Sequence, residues 1–195
     1  MLFGSSGIRR KFDFSLVELA VRVGSAIAAG REEIVVGRDT RTTGPLLANA
    51  VISGILSSDA SVQYAGIAPT PAIAYASRNV DAGCMITASH NPEPYNGLKL
   101  LNPDGSSFAE EQQEEVESLI ANPPLRDWAS QGSLRDVDVL TGYGKAILDS
   151  VSIAREITAV VDSGNGAGSV VTPTLLRDAG VAVRCLNCNP SGRFG

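Results

Sequence analysis

Lysine and histidine are scarce in this sequence: three lysines and a single histidine in 195 residues. The formal net charge is −5 with both signs interspersed, so no general basic field exists to attract a nucleic acid, and no nucleic-acid partner is expected. An anionic substrate would have to be met by local cations, and one of the three lysines, Lys99, sits in the most distinctive stretch of the chain. Long apolar runs are missing too. None approaches bilayer-spanning length and the N-terminus lacks the apolar core of a signal peptide, so the expectation is a cytoplasmic protein with no membrane partner. Cysteine is limited to Cys84, Cys185 and Cys188, an odd number with one thiol inside an apolar run, which is unlike a secreted disulfide framework. Cys185-x-x-Cys188 lacks a second pair and the one histidine lies far away in sequence, so reduced thiols are expected rather than a zinc site.

What is present is enough apolar residue content for one domain or one and a half. Helical and strand-like segments alternate. A helix is expected over 15–29, with Ser15 and Glu18 at capping-box spacing, Leu16, Leu19, Ala20, Val23 and Ile27 on one face, and Gly30 as its stop. Ile34-Val35-Val36 reads as a buried strand, 43–56 as a helix with Pro45 in its first turn, and 62–65 as a third strand. Thr70-Pro71 is expected to cap a short helix running to about residue 78. Residues 82–87 form a strand with 98–101 as its partner, and Asn102-Pro103-Asp104-Gly105 is a turn. Ser107 and Glu110 are read as a second capping box, opening an amphipathic helix that Asn122-Pro123-Pro124 ends. Polar residues 123–138 read as a passage between domains, followed by a helix over 140–151, a buried strand over 157–161 and a last strand over 181–186. The expected fold is α/β: a three-layer α/β/α mixed-sheet domain over 1–130, then an incomplete second α/β domain over 140–195, since a lone strand–helix–strand unit cannot bury both faces of its sheet.

The organising stretch is Thr87-Ala88-Ser89-His90-Asn91-Pro92, followed by Tyr95-Asn96-Gly97-Leu98-Lys99. Asn91-Pro92 and Pro94 break the strand ladder, so Ser89 and His90 are expected on a loop at the strand's end, where open α/β sheets place their ligands. A hydroxyl there beside an imidazole and a lysine suits nucleophilic or phosphoryl chemistry, although Ser, His and Asn are also ordinary turn residues. Gly37-Arg38-Asp39-Thr40-Arg41 reads on its own as a loop held by an Arg–Asp pair. The glycine-rich stretch 162–169 has neither the dinucleotide spacing nor the Lys-Ser/Thr ending of a P-loop; it is either a tight strand-to-helix crossover or a set of backbone N–H groups facing a phosphate.

These segments, in this order, resemble the α-D-phosphohexomutases, the family of phosphoglucomutase, phosphomannomutase and the phosphoglucosamine mutases. Thr87–Pro92 with Tyr95-Asn96-Gly97 and Lys99 resembles the family's phosphoserine loop, and residues 37–41 match its Gly-Arg-Asp-Thr-Arg segment. Phe3-Gly4-Ser5-Ser6-Gly7-Ile8-Arg9-Arg10 resembles its opening, with Ser5 in place of Thr and Arg10 in place of Gly. Asn165-Gly166 and Gly168 match the start of its second domain. The resemblance implies that Ser89 carries a phosphoryl group exchanged between the 1- and 6-positions of a hexose phosphate through a hexose 1,6-bisphosphate. It also implies that Arg9 and Lys99 meet phosphate, and that Lys99 and His90 handle the hydroxyl proton. Arg38 and Arg41 are expected as supporting cations. Mg²⁺ would meet the Ser89 phosphate together with aspartates this chain does not contain, so further mutase domains are expected and the chain alone would be inactive. The alternatives are a nucleotide- or phosphate-binding module using the glycine turn, without mutase chemistry, and a pure interaction domain.

Overall fold

The computed structural model describes residues 2–4 and 7–194. Its elements run β1 (Ile8–Lys11), α1 (Phe14–Ala28), β2 (Glu33–Arg38), α2 (Gly44–Leu56), β3 (Ser61–Ile67), α3 (Thr70–Ala76), β4 (Ala82–Ile86), β5 (Tyr95–Leu101) and α4 (Glu110–Ile120). There follow β6 (Leu134–Asp136), α5 (Leu140–Ser150), β7 (Thr158–Asp162), α6 (Thr172–Asp178) and β8 (Ala182–Leu186). Six strands form one mixed sheet in the order β1-β5-β4-β2-β3-β6. β4, β2, β3 and β6 are parallel; β5 runs antiparallel to β4 and β1 antiparallel to β5. β7 and β8 make a separate parallel pair. The class is the mixed α/β one that the alternating segments imply.

The sheet is filled on both faces. One face carries α1, α2 and α4, whose Leu16, Val23, Ile27, Leu47, Ile55 and Val116 close over Ile8, Ile34, Cys84, Ile86, Leu98 and Leu100. The other face carries a smaller cluster in which Ile73 of α3 packs with Val35, Met85 and Leu101. β2 and β4 are buried on both sides, which explains why Ile34-Val35-Val36 and Cys84-Met85-Ile86 are continuous apolar runs.

Several local expectations are corrected. Helix α1 is capped by Asp13, not Ser15: Asp13 is extended and its Oδ1 accepts the Leu16 N–H at 3.0 Å, with Ser15 Oγ donating to the same oxygen at 2.7 Å. Ser107 does not open α4. It bridges back to Leu101, and the helix begins after Ala109, whose N–H is accepted by Gln112 Oε1 at 2.9 Å. Thr70 is the first residue inside α3, with Pro69 as the flanking residue. The N-terminal residues 8–11, for which no element was expected, form an edge strand. Residues 134–136, read as passage, add a sixth strand beside β3 through Val62↔Leu134, Gln63↔Arg135 and Tyr64↔Asp136. β7 is largely exposed rather than buried, because β8 is its one partner among the described residues. Arg10, at the family's Gly position, takes ordinary strand pairing opposite Asn96. Ser5 and Ser6 lie outside the described residues.

Candidate active site

The strand β4 ends at Ile86, and the ladder passes its last bond from Thr87 N–H to Gly97 C=O at 3.0 Å. Ser89 and His90 then stand exposed on the loop at the carboxyl end of a parallel strand, as the sequence implies. Ser89 is in the left-handed region with φ +56°, a conformation that costs an ordinary residue free energy and persists only where its surroundings hold it.

The hold is supplied by residues 39–41. Arg41 is 1% exposed and its guanidinium is a hub. Nη2 donates to Ser89 O at 2.9 Å and Asn91 O at 2.7 Å; Nη1 donates to Pro92 O and Tyr95 O, both at 2.8 Å. One planar fork thus fixes four carbonyls of the loop, a task its rigid five-donor geometry suits. Its Nε is paired with Asp39 Oδ2 at 3.2 Å, so the buried cation is neutralised locally. Asp39 Oδ2 also accepts from Thr87 Oγ1 at 2.7 Å, and Thr87 Oγ1 accepts the Ser89 N–H at 2.9 Å. Ser89 is therefore gripped at its N–H through Thr87 and at its C=O by Arg41. Asn96, fully buried, closes the far side: its Nδ2 donates to Thr43 Oγ1 at 2.9 Å and its Oδ1 accepts the Gly97 N–H at 2.9 Å.

With the backbone committed, the Ser89 hydroxyl is left facing the cleft. His90 Nδ1 lies 3.4 Å from Ser89 Oγ, longer than a well-formed bond and free to take other partners. A cleft of about 470 Å³ opens there, walled by Ser89, His90, Glu93, Pro94 and Phe194. A smaller pocket of about 210 Å³ adjoins it, with Thr40, Thr70, Thr87 and Ser89 on one side and Gly166, Ala167 and Phe194 on the other.

Register brings the remaining expected residues to the same end of the sheet. β5 pairs Lys99 with Met85 and Leu98 with Ile86, while β1 pairs Arg9 with Gly97. Ile8, Leu98 and Leu100 point into the α1/α2 core, so strand alternation puts Arg9 and Lys99 on the opposite face. They are diagonal neighbours across β1 and β5, close to where β4 releases the serine loop. Arg38 is turned away from the serine: its Nε donates to Tyr64 Oη at 3.1 Å and its Nη1 to Asp39 O at 3.1 Å.

The leading N–H groups of the glycine turn are bonded within the turn and to the loop after β8. The Gly164 N–H is accepted by Asp162 Oδ1 at 2.9 Å, that of Asn165 by Asn187 O at 2.6 Å and that of Gly166 by Ser163 O at 2.9 Å. The Gly164 N–H and the Asn187 amide hold the Asp162 carboxyl below its usual range. The turn is a strand-to-helix crossover whose Gly166 and Ala167 border the smaller pocket beside Ser89. No metal centre is built either: among the described residues no group of three His, Cys, Asp or Glu side chains is placed to hold an ion. No helix is long and apolar enough to cross a membrane among the described residues. Cys84 lies in the core, where burial pushes its thiol up to about 12; it packs and takes no part in the site.

Fold and site together define an α/β/α sandwich domain that presents one serine hydroxyl from a clamped loop at a strand's carboxyl end. The family model for phosphoglucomutase/phosphomannomutase, alpha/beta/alpha domain I, matches residues 1–126, and the chain belongs to this family. It is 45% identical over 198 residues to phosphoglucosamine mutase of Methanococcus aeolicus, covering 99% of this chain and 43% of that protein. It is 44% identical over 199 residues to a probable phosphoglucosamine mutase of Thermococcus kodakarensis, covering 98% and 44%. Among solved structures, a phosphoglucomutase/phosphomannomutase family protein of Burkholderia thailandensis superposes with a TM-score of 0.85 at 26% identity, covering 99% of this chain and 45% of that one. A putative phosphomannomutase of Thermus thermophilus gives 0.81 at 29% identity, covering 97% and 46%. The chain spans less than half the length of these relatives.

Proposed function

We propose that this chain supplies the phosphoryl-carrying part of a hexose-phosphate mutase, with Ser89 as the carrier. The observation that supports this most is the division within one residue: the Ser89 backbone is held at both ends while its hydroxyl faces the cleft. In the proposed reaction the hydroxyl oxygen of a hexose phosphate attacks phosphorus on phospho-Ser89. The new O–P bond forms as the Ser89 Oγ–P bond breaks, and the sugar's proton passes to a nearby base. The resulting hexose 1,6-bisphosphate returns its other phosphoryl group to Ser89 after reorienting. His90, adjoining Oγ, and Lys99 are assigned to the proton. Arg9 and Lys99, on one face of β1 and β5, are assigned to offsetting phosphate charge.

Mg²⁺ belongs to this reading as the charge-neutralising partner of phosphoryl transfer. The residues present do not make a cage for it: Ser89 contributes one oxygen, and Asp39, the carboxylate tied to the serine loop, is saturated by Arg41 and Thr87. The step above is therefore derived without the metal. The further mutase domains are proposed to bring the carboxylates and the distant grip on the second phosphate, and these residues alone are expected to be inactive in turnover. Glucosamine phosphate is the first sugar to try, since the relatives at 45% and 44% identity are named phosphoglucosamine mutases. A cytoplasmic setting is part of the same proposal.

The test is direct. Incubation with a hexose 1,6-bisphosphate and Mg²⁺ should add one phosphate to the peptide spanning 82–99, and Ser89→Ala should abolish it. Phosphate mapping to Ser106 or Ser107 instead would sink the assignment.

A further inference from the structure

The loop after β8 returns to the clamp and the serine loop and seats on them at three points. Gly192 is buried with φ +70°, and its backbone lies so close to residues 40–42 that a Cβ would stand 2.4 Å from Thr40 O and 2.9 Å from Thr42 N. The Phe194 ring covers the Arg41 guanidinium, with its centroid 5.1 Å from Cζ, inside the range of a cation–π contact. The Phe194 N–H donates to Glu93 Oε1 at 2.9 Å. Two of these contacts land on the clamp and one on the loop that the clamp holds. Phe194 also lines both the cleft and the smaller pocket beside Ser89.

We propose that Phe194, seated by Gly192, is a positioning residue for Ser89: the β7–β8 unit sets the geometry of the serine loop through the face of Arg41. The route is short and physical. The ring closes the open side of a guanidinium whose nitrogens hold Ser89 O, Asn91 O, Pro92 O and Tyr95 O. Removing the ring admits water to that fork, and each N–H···O=C bond then competes with solvent. A shift of the loop after β8 would likewise be felt at Ser89 without any contact to the hydroxyl itself. The catalytic meaning of the coupling rests on the phosphoryl-transfer reading; the coupling itself does not.

The loop carries its own reporters, because the amides of Ser89, Asn91 and Tyr95 are bonded within it, to Thr87 Oγ1, Ala88 O and Pro92 O. Hydrogen exchange is measured on the whole chain as wild type, Phe194→Ala, Phe194→Tyr and Gly192→Ala. Phe194→Ala should speed exchange at these three amides about three- to tenfold, the range expected for loss of one partly covered cation–π contact. Phe194→Tyr, which keeps the ring, should restore wild-type rates. Gly192→Ala should match Phe194→Ala, since the added methyl lifts the segment away. Exchange in β2 and α2 should not change. Wild-type rates at Ser89, Asn91 and Tyr95 in Phe194→Ala would overturn the proposal, as would failure of Phe194→Tyr to restore them. The rate of Ser89 labelling by a hexose 1,6-bisphosphate is read in parallel and should fall with Phe194→Ala and recover with Phe194→Tyr. A wild-type chain that takes no label at all would count against the phosphoryl-transfer reading, while the exchange rates still decide the coupling.

Discussion

Arg41→Lys is the perturbation that most directly tests how the serine loop is built. The guanidinium is 1% exposed, pairs with Asp39 and reaches four carbonyls, two on each terminal nitrogen. Removing it entirely, as in Arg41→Ala, strands the Asp39 carboxylate in a buried position, and breaking a buried pair in this way costs about 3–5 kcal/mol. The four carbonyls do not add their full value, because a loop released from the fork can swing into water and rebond there. Lysine keeps the charge beside Asp39 but replaces the fork by one ammonium with three donors, which cannot span the pair at Ser89 and Asn91 and the pair at Pro92 and Tyr95 together. Losing one charge-assisted group costs about 1.5–3 kcal/mol. At roughly 2–4 °C per kcal/mol for a chain of this size, Arg41→Lys should lower Tm by about 3–12 °C and Arg41→Ala by about 6–20 °C. Thermal unfolding followed by far-ultraviolet circular dichroism gives the shift, and amide exchange at Ser89, Asn91 and Tyr95 gives its location. An Arg41→Lys chain with an unchanged Tm and unchanged protection of those amides would refute the idea that the guanidinium fork holds the loop.

In a mutase reconstituted with the proposed further domains, Lys99→Ala should lower the transfer rate by about 10²–10⁴-fold with little change in Tm, as expected for a positioned proton-handling group; unchanged turnover there would remove Lys99 from the mechanism. Thr87→Val keeps the shape but cuts the link from Asp39 to the Ser89 N–H, so it should loosen the Ser89 amide and cost about 1–3 kcal/mol in urea unfolding, because Asp39 Oδ2 loses a buried partner. Thiol titration at pH 8 should leave Cys84 unmodified until the chain unfolds, since burial pushes its ionisation up to about 12 and closes access to it. The Asp138 carboxyl is held below its ordinary 3.8, first by the Thr141 hydroxyl and then by the Thr141 and Leu140 amides at the start of α5. A lowered folded value means its contribution is present above pH 3.8 and is lost as pH falls through the folded value. The Tm gap between wild type and Asp138→Ala should therefore be widest near neutrality and shrink below about pH 4, as scanning calorimetry across pH would show.

The parts of the fold that were legible in the sequence are those whose burial is two-sided or strictly periodic. Ile34-Val35-Val36 and Cys84-Met85-Ile86 announce themselves because β2 and β4 have helices on both faces, and α2 does so through Pro45 and its apolar face. Edge elements were not legible. β6 is three exposed residues whose strand character comes from the edge of β3, and β1 is a single buried Ile8 among basic residues; neither pattern carries a period. The caps were misread for a related reason. Ser15 and Ser107 have the right spacing to a glutamate, but Asp13 lies two residues before Ser15 and Gln112 two residues after Glu110, and these make the observed bonds. At the site, Ser89, His90, Lys99 and Arg9 were expected by resemblance, and what the structure adds is their placement: register puts Arg9 and Lys99 near the end of β4 that leads into the Ser89–His90 loop. The clamp was half legible: the Arg–Asp pair could be expected from residues 37–41, but the four carbonyl bonds of Arg41 are long-range and leave no local pattern. Thr87 as the link between Asp39 and Ser89 and Phe194 as the cover over Arg41 were missed altogether. The only signal for Phe194 was a glycine two residues before it.

The way the site is held also explains why an ordinary L-residue can occupy a left-handed position at its centre. A serine at φ +56° in a free loop would relax, because nothing would repay the strain. Here relaxation would rotate the peptide groups on either side of Ser89 and break the Thr87 and Arg41 bonds together, exposing a buried ion pair as it did so. Glycine would sit in the same backbone with less strain, but it would carry no hydroxyl. Among the described residues the strong bonds of Ser89 fall on its backbone, and its side chain has one weak neighbour, His90. On the proposed phosphoryl-transfer reading the arrangement has a use, because neither the free nor the phosphorylated hydroxyl would have to compete with a strong internal hydrogen bond of its own. Residues 39–41 and 87 thus fix the backbone of Ser89, while its hydroxyl is left to face the cleft.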